Sequence, residues 1–496
     1  VANPALKALR RHRVPAWWLD AKLGIFVHWS PASVPGFAPV DTDIGQLVQS
    51  DEPDALKDTP YAEWYGNSLR FPDSAVARHH RTTYGDRPYE AFARDWEDGL
   101  EHWDPDDWAR RFAATGARWV VLVTKHMDGF CLWPTEVTNP NQADWHSKRD
   151  AVGELAEAVR GAGMRFGVYY SGGLDATFDP RPMGTVGAML AAVPRGAYPA
   201  YADAQVRELI ARYRPSVVWN DIAWPSEAKA LWPLLEHYYE QVPDGVLNDR
   251  WMPWSPLLGA ARRPRVQKLI DAGSRRQARK DGGIVPPKPP HFDVRTPEYV
   301  TFDDVQPDPW ECVRGMDHSF GFNAASGPDD FLAPDDLLWT FTDVVAKGGN
   351  LLLNVGPRGV DASIPDEQQD RLDLLGHWVG ATAEAIFATR PWVRPGTTTA
   401  AGEPLRYTAR GDEVFAFIHG ATGSVTLPDV AATPTTTVAT VDGTTVAWRD
   451  GPAGLTVDLP PREPGPEPVV VQLRHVVARS ARAAGPTDRG RGAGRR

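Results

Sequence analysis

Five side chains able to carry polar chemistry each sit at the end of a short apolar run. His28 follows LGIFV, His126 follows WVVLVTK, Tyr169 lies in RFGVYY, Asp221 ends SVVWND, and Arg250 follows GVLND. A carboxylate accompanied by two imidazoles, a phenol and a guanidinium can attack an electrophile, move protons and grip hydroxyl groups. Any one of them could be an ordinary satisfied core or loop group. Five at the ends of five successive runs point instead to one shared site. Metal-assisted hydrolysis by His28, His126 and Asp128 is the rival chemistry. Metal barrels of the amidohydrolase type place an H-x-H pair on the first strand, whereas HWS offers a single His, and zinc-ligand spacing is absent. No metal is therefore expected.

The elements that must position these groups are legible in the apolar pattern. Leu23–Trp29, Trp119–Thr124, Arg165–Tyr170, Ser216–Asp221, Gly245–Asp249 and Asn350–Gly356 read as buried strands, because they are β-branched and lack polar alternation. Helical stretches lie between them: one after Asp106-Asp107, then Asp150–Gly161, Ala204–Tyr213, Glu227–Val242, and Asp366 to Ala388. Strand–helix alternation over this length predicts an α/β fold, a (β/α)8-type, TIM-like catalytic barrel over 1–388, whose site lies at the C-terminal ends of its strands. Arg390–Gly396 reads as a linker. Period-two segments with Gly and Asp turns follow, predicting an antiparallel β-sandwich over 389–475. The remaining 476–496 is basic and low in complexity, and is expected to be a disordered tail.

Composition narrows the function. The 496 residues carry a net charge of −11, which disfavours nucleic acid as a partner, while seven Arg and one Asp from Arg474 onward make the tail basic. No apolar window is long enough to span a membrane, so no membrane partner is expected. The absence of an apolar leader region and the presence of only two cysteines, Cys131 and Cys312, predict a cytoplasmic location. Assembly as a homo-oligomer is allowed. Twenty tryptophans are mostly core, but aromatic faces are also the usual platform for sugar rings.

GIFVHWSPASVPGFAP, EWYGNSLRF, VVLVTKHMDGFCLWPT, RFGVYYSGGLD, VVWNDIAWP, LNDRW, TPEY, RGMDHSFGFN and LLLNVGPRGVDASIPDEQQDRL resemble, in order, the successive blocks of the α-L-fucosidases of glycoside hydrolase family 29. They run from about Leu23 to Leu372, across the whole expected barrel. The resemblance implies a retaining exo-glycosidase that removes terminal α-linked L-fucose from a fucosylated oligosaccharide or glycoside without metal or organic cofactor. It implies Asp221 as nucleophile and Glu298 of TPEY as acid/base; Glu311 in PWECVRG, another acid near a strand end, is the rival acid. It implies a glycone pocket made by His28, Glu63, Trp64, His126, Tyr169 and Arg250, with Phe320 near the C5 methyl of the sugar.

Two departures stand out. Trp251 to Glu298 contains a Pro- and Arg-rich stretch, about 252–290, that reads as an inserted loop, either a solvated excursion or a flap over the leaving group. Met127 stands where the family usually has a second His. A thioether donates no hydrogen bond, so the expectation is weaker glycone binding or an altered glycone preference, and at the extreme a weakly catalytic fucose-binding protein.

Overall fold

In the computed structural model, residues 4–281, 284–463 and 465–479 are described. Seven parallel strands form a curled sheet in the order Val246–Leu247, Val217–Asn220, Arg165–Tyr170, Trp119–Lys125, Leu23–Val27, Asn350–Val355, Glu311–Arg314. Their apolar continuity has a simple cause, since both faces are covered. Phe26, Val121, Val123, Val217, Trp219, Val313 and Leu352 point into the barrel. Ile25, Val27, Val120, Leu122, Val218 and Leu353 point outward into the layer under the helices. Gly24 is required by this packing, because a Cβ there would lie 2.2 Å from the Trp119 ring.

The gap between Leu247 and the Glu311–Arg314 strand is filled by an irregular eighth stave, residues 293–299. The backbone N–H groups of Asp293 and Val294 donate to the Leu247 carbonyl at 3.0 and 3.2 Å, and Arg295 and Glu298 form isolated parallel bridges to Trp310 and Val313. This stave carries Glu298. Side chains hold it where the ladder does not: Asp249 accepts from Arg295 Nε at 2.6 Å, and from Thr296 through both its backbone N–H and its hydroxyl.

Helix starts follow side-chain caps. Asp150 caps Ala151–Gly161 by accepting from Gly153 N–H at 2.9 Å, and Asp104, not Asp106 or Asp107, caps Pro105–Ala114. The helix expected from Ala204 begins earlier, at Tyr198.

Three expectations require correction. The stretch read as an inserted loop contains the helix Pro264–Asp281, whose charged surface and flanking Pro and Gly hid it. Arg390–Gly396 is not a linker but part of the strand Arg390–Thr398. Pro391 is tolerated because this is an edge strand with a bulge between Pro391 and Gly396. The tail does not begin at 476, since the strand Val469–Ala478 stays paired to the point where Ala478 meets Val430. Residues 480–496, the rest of the expected tail, lie outside the described residues.

The C-terminal part is a five-stranded antiparallel sheet facing a three-stranded one over a core of Leu405, Tyr407, Ile418, Leu427, Leu455 and Leu473. The outer face of the larger sheet lends Phe415, Phe417 and Val470 to the barrel's own apolar layer. Thr408 also donates to the Ala385 carbonyl at 2.7 Å, so the sandwich buttresses the barrel wall. Among the described residues no helix is long and apolar enough to cross a membrane.

Candidate active site

The strand ends open into a cavity of about 900 Å³ lined by His28, Glu63, Trp64, His126, Tyr169, Asp221, Arg250, Glu298 and Phe320. All nine site residues expected from the sequence are brought together there.

Asp221 leaves the end of its strand with both oxygens occupied. Tyr169 OH donates to Oδ2 at 2.7 Å, and Arg250 donates to Oδ1 at 3.0 Å. The other guanidinium nitrogen of Arg250 reaches Glu298 Oε1 at 2.6 Å, and Tyr61 OH donates to Glu298 Oε2 at 3.2 Å. One buried guanidinium thus bridges the two acids. Burial alone would lower the pKa of Arg250, but the charges of Glu298, Asp221 and Asp249 outweigh it and keep the fork protonated. The Arg250 guanidinium carbon sits over Trp219, 4.5 Å from the ring centre, and Arg250 also donates to the Thr296 carbonyl at 3.0 Å. The residue after each acid takes left-handed backbone geometry, Ile222 at φ 71° and Tyr299 at φ 54°. For a β-branched or bulky side chain such a conformation costs on the order of 1–3 kcal/mol, and it turns each carboxylate into the cavity.

The imidazoles are uncharged. Burial, with His126 nearby, pushes His28 down to about 3, and burial pushes His126 down to about 4. The tautomer of His28 follows from its neighbours. Asn354 spends its NH2 on the Phe320 carbonyl, so its Oδ1 must accept from His28 Nδ1 at 2.5 Å, leaving Nε2 as an acceptor. His126 Nδ1 is buried with no hydrogen-bond partner among the described residues. Glu63 accepts from Gly321 N–H at 2.7 Å, and burial raises it to about 7. Phe320 stacks on His28 with ring centres 5.1 Å apart, and Trp64 adds a second aromatic surface. The arrangement is one of two bridged acids beside neutral hydrogen-bonding groups and aromatic faces, which suits a polyhydroxylated ring with an apolar corner.

A family model for α-L-fucosidases matches residues 2–384. The chain belongs to the α-L-fucosidase family. It is similar to the α-L-fucosidase of Branchiostoma floridae, 28% identical over 485 residues and covering 92% of this chain and 91% of that protein. It is 27% identical over 492 residues to the tissue α-L-fucosidase of Homo sapiens, covering 94% and 89% of the two chains. Among solved structures, the Thermotoga maritima α-fucosidase in complex with fucose is 36% identical with a TM-score of 0.77, over 94% of this chain and 98% of that one. An aspartate-to-glycine α-L-fucosynthase variant from the same organism is 37% identical with a TM-score of 0.79, over 95% and 99%.

Within this fucosidase-family chain the rival acid Glu311 is placed apart from the cavity. It is buried beneath Trp219, whose Nε1 donates to its Oε1 at 3.0 Å. Burial pushes it up to about 8, against the lowering effect of that hydrogen bond. Between the ordinary value of 4.5 and about 8 the folded protein therefore holds a proton that the unfolded chain has released. The resulting stability is fully present below about pH 4.5 and is lost as pH rises through 8. Glu311→Gln keeps the acceptor but cannot ionise. It should match wild type in denaturation midpoint near pH 5, exceed it above about pH 8, and leave turnover unaffected. Equal midpoints at both pH values would contradict this account of Glu311.

Met127 does not line the main cavity. Its side chain joins Leu174, Met183 and Ala192 and backs Trp64 and Ile222, so the expected loss of a sugar contact has no geometric basis at this residue. It borders a separate cavity of about 280 Å³, as does Asp128, which accepts from Tyr89 OH at 2.8 Å and does not converge with the two histidines. Among the described residues no group of three or more His, Cys, Asp and Glu could hold a metal ion. The sequence reading missed Tyr61, Asn354 and the Asp249–Arg295 pair. The signal for Asn354 was a polar residue inside the apolar run LLLNVG.

Proposed function

We propose that this α-L-fucosidase hydrolyses terminal α-linked L-fucose from fucosylated oligosaccharides or glycosides by double displacement, with Asp221 as nucleophile and Glu298 as acid/base. The observation that carries the assignment is the single Arg250 guanidinium shared by the two carboxylates at the strand ends. A retaining glycosidase needs two acids closely opposed across the scissile bond, one attacking and one shuttling the proton. Asp221 attacks C1 while Glu298 gives its proton to the glycosidic oxygen, and the aglycone leaves as an alcohol. Glu298, now a carboxylate, takes a proton from water. The water oxygen attacks C1, releasing Asp221 and fucose of retained configuration. His28, Glu63, Trp64, His126 and Tyr169 hold the glycone, and Phe320 packs its C5 methyl. A cytoplasmic location belongs to the same proposal and rests on Cys131 and Cys312, both buried and unpaired.

The test follows an aryl α-L-fucoside by NMR beside aryl α- and β-galactosides. The first product is expected to be α-fucose, from the fucoside alone. Glu298→Ala should separate leaving groups. The kcat/KM of a dinitrophenyl fucoside, whose departure needs no protonation, falls little, while that of an alkyl fucoside drops about 10²–10⁴-fold; kcat falls for the dinitrophenyl fucoside too, because water then lacks its base. A loss equal for both leaving groups would remove Glu298 from the acid role.

A further inference from the structure

The cavity is larger and far more apolar than a deoxyhexosyl ring requires, and its two ends differ in chemistry. The acids and imidazoles sit at the strand ends. Beyond them the wall is aliphatic: Ile44 and Val48 from the helix Ile44–Gln49, Met189 and Leu190 from Val186–Ala191, Leu258, and Ile270 from Pro264–Asp281. The last helix presents Ile270, Gly273, Ser274, Gln277 and Ala278 to the cavity, the i, i+3, i+4, i+7, i+8 stripe of a single helical face. It is tied in place as a fixed wall. Arg275 pairs with Asp51 at 3.0 Å, Arg279 donates to the Gln49 carbonyl at 3.1 Å, and Asp271 accepts from Gly187 N–H at 2.7 Å.

The charges on this side are already engaged, Lys288 with Asp308 at 2.6 Å and Arg295 with Asp249 at 2.6 Å. A second sugar ring bound here would bury hydroxyls against methyl groups with few partners, at a cost of roughly 1–3 kcal/mol for each one orphaned. Two large apolar side chains outside the cavity are also exposed. Leu257 and Leu269 are 83% and 74% exposed, and each neighbours a wall residue, Leu258 and Ile270.

We propose that the Pro264–Asp281 helix completes a leaving-group subsite selective for apolar aglycones, so that the preferred substrates are fucosides of alkyl or polycyclic alcohols and not fucosylated polar glycans. The proposal rests on the fucosidase reading, whose carboxylate end supplies the neighbouring glycone site.

An alkyl series tests it, because methyl, butyl and octyl α-L-fucosides have nearly the same leaving-group chemistry and differ in apolar length. We expect kcat/KM for the octyl fucoside to exceed that for the methyl fucoside by at least about tenfold, and to exceed that for fucosyl-α-1,2-galactose as well. Ile270→Asp should lower the octyl-to-methyl ratio by about tenfold. Gly273→Glu serves as a second variant, since a Cβ at Gly273 meets no atom within 4 Å and the fold has no reason to fail. It should shrink the same ratio. Methyl, octyl and disaccharide substrates turned over equally, or the disaccharide preferred, would overturn this subsite while leaving the fucosidase reading intact. No turnover of any fucoside would overturn both.

Discussion

Replacing Asp221 by Gly should reduce hydrolysis of an aryl α-L-fucoside by a factor on the order of 10⁴–10⁶, the scale seen when a nucleophile is removed. The remainder of the site should survive, because the substitution leaves a space beside Tyr169 and Arg250 without adding bulk. Azide can enter that space and attack C1 from the nucleophile's side, giving β-fucosyl azide, the inverted product. In Glu298→Ala, azide acts on the fucosyl-enzyme instead and yields the α-azide. The two stereochemical outcomes assign the two acids independently. An Asp221→Gly enzyme within about tenfold of wild type, or one whose azide product is α, would exclude Asp221 as nucleophile.

The second large effect is expected at Arg250. In Arg250→Met the two acids keep their places but lose the cation between them. Removing one partner from a buried ion network typically costs about 3–5 kcal/mol, and the protein should show that loss as a lower denaturation midpoint. The kcat/KM should fall on the order of 10³-fold, since each acid loses one of the hydrogen bonds that aim it and keeps only that from Tyr169 or Tyr61. Arg250→Lys separates charge from geometry. An ammonium restores a positive charge but cannot present two parallel N–H groups to two carboxylates 3.0 and 2.6 Å away. It should recover more of the stability than of the activity. A Lys variant as active as wild type would show that the fork itself is unimportant.

Much of this was legible in the chain. The barrel strands announced themselves because they are buried on both faces, and polar residues at their ends stood out against that background. Asp221 and Arg250 could be placed for this reason. The Pro264–Asp281 helix was not legible, because its inward face looks onto a cavity and so carries little more than Ile270 and Ala278. Much of the rest is Arg, Lys and Asp, so the charged residues mask the apolar period. Tyr61, Asn354 and Arg295 escaped because their partners are distant in the chain. His28 and Asn354 meet across 326 positions, and no local pattern records such a pairing. Met127 misled for the opposite reason. Its neighbour His126 faces the cavity, but the next residue along turns to the other side, into an apolar cluster.

The irregular stave that carries Glu298 has a consequence for how such an enzyme can diverge. Asp221 is fixed by a ladder running in register from Val217, so inserting or deleting a residue there would flip a whole row of side chains. Residues 293–299 are instead pinned at a few points by Asp249 and Arg250, and the chain before them already accommodates an added helix. Length changes ahead of this stave can be absorbed without disturbing the sheet. On the proposed assignment, the nucleophile therefore sits at the end of the register-locked strand, while the proton donor sits on the stave whose approach can change in length.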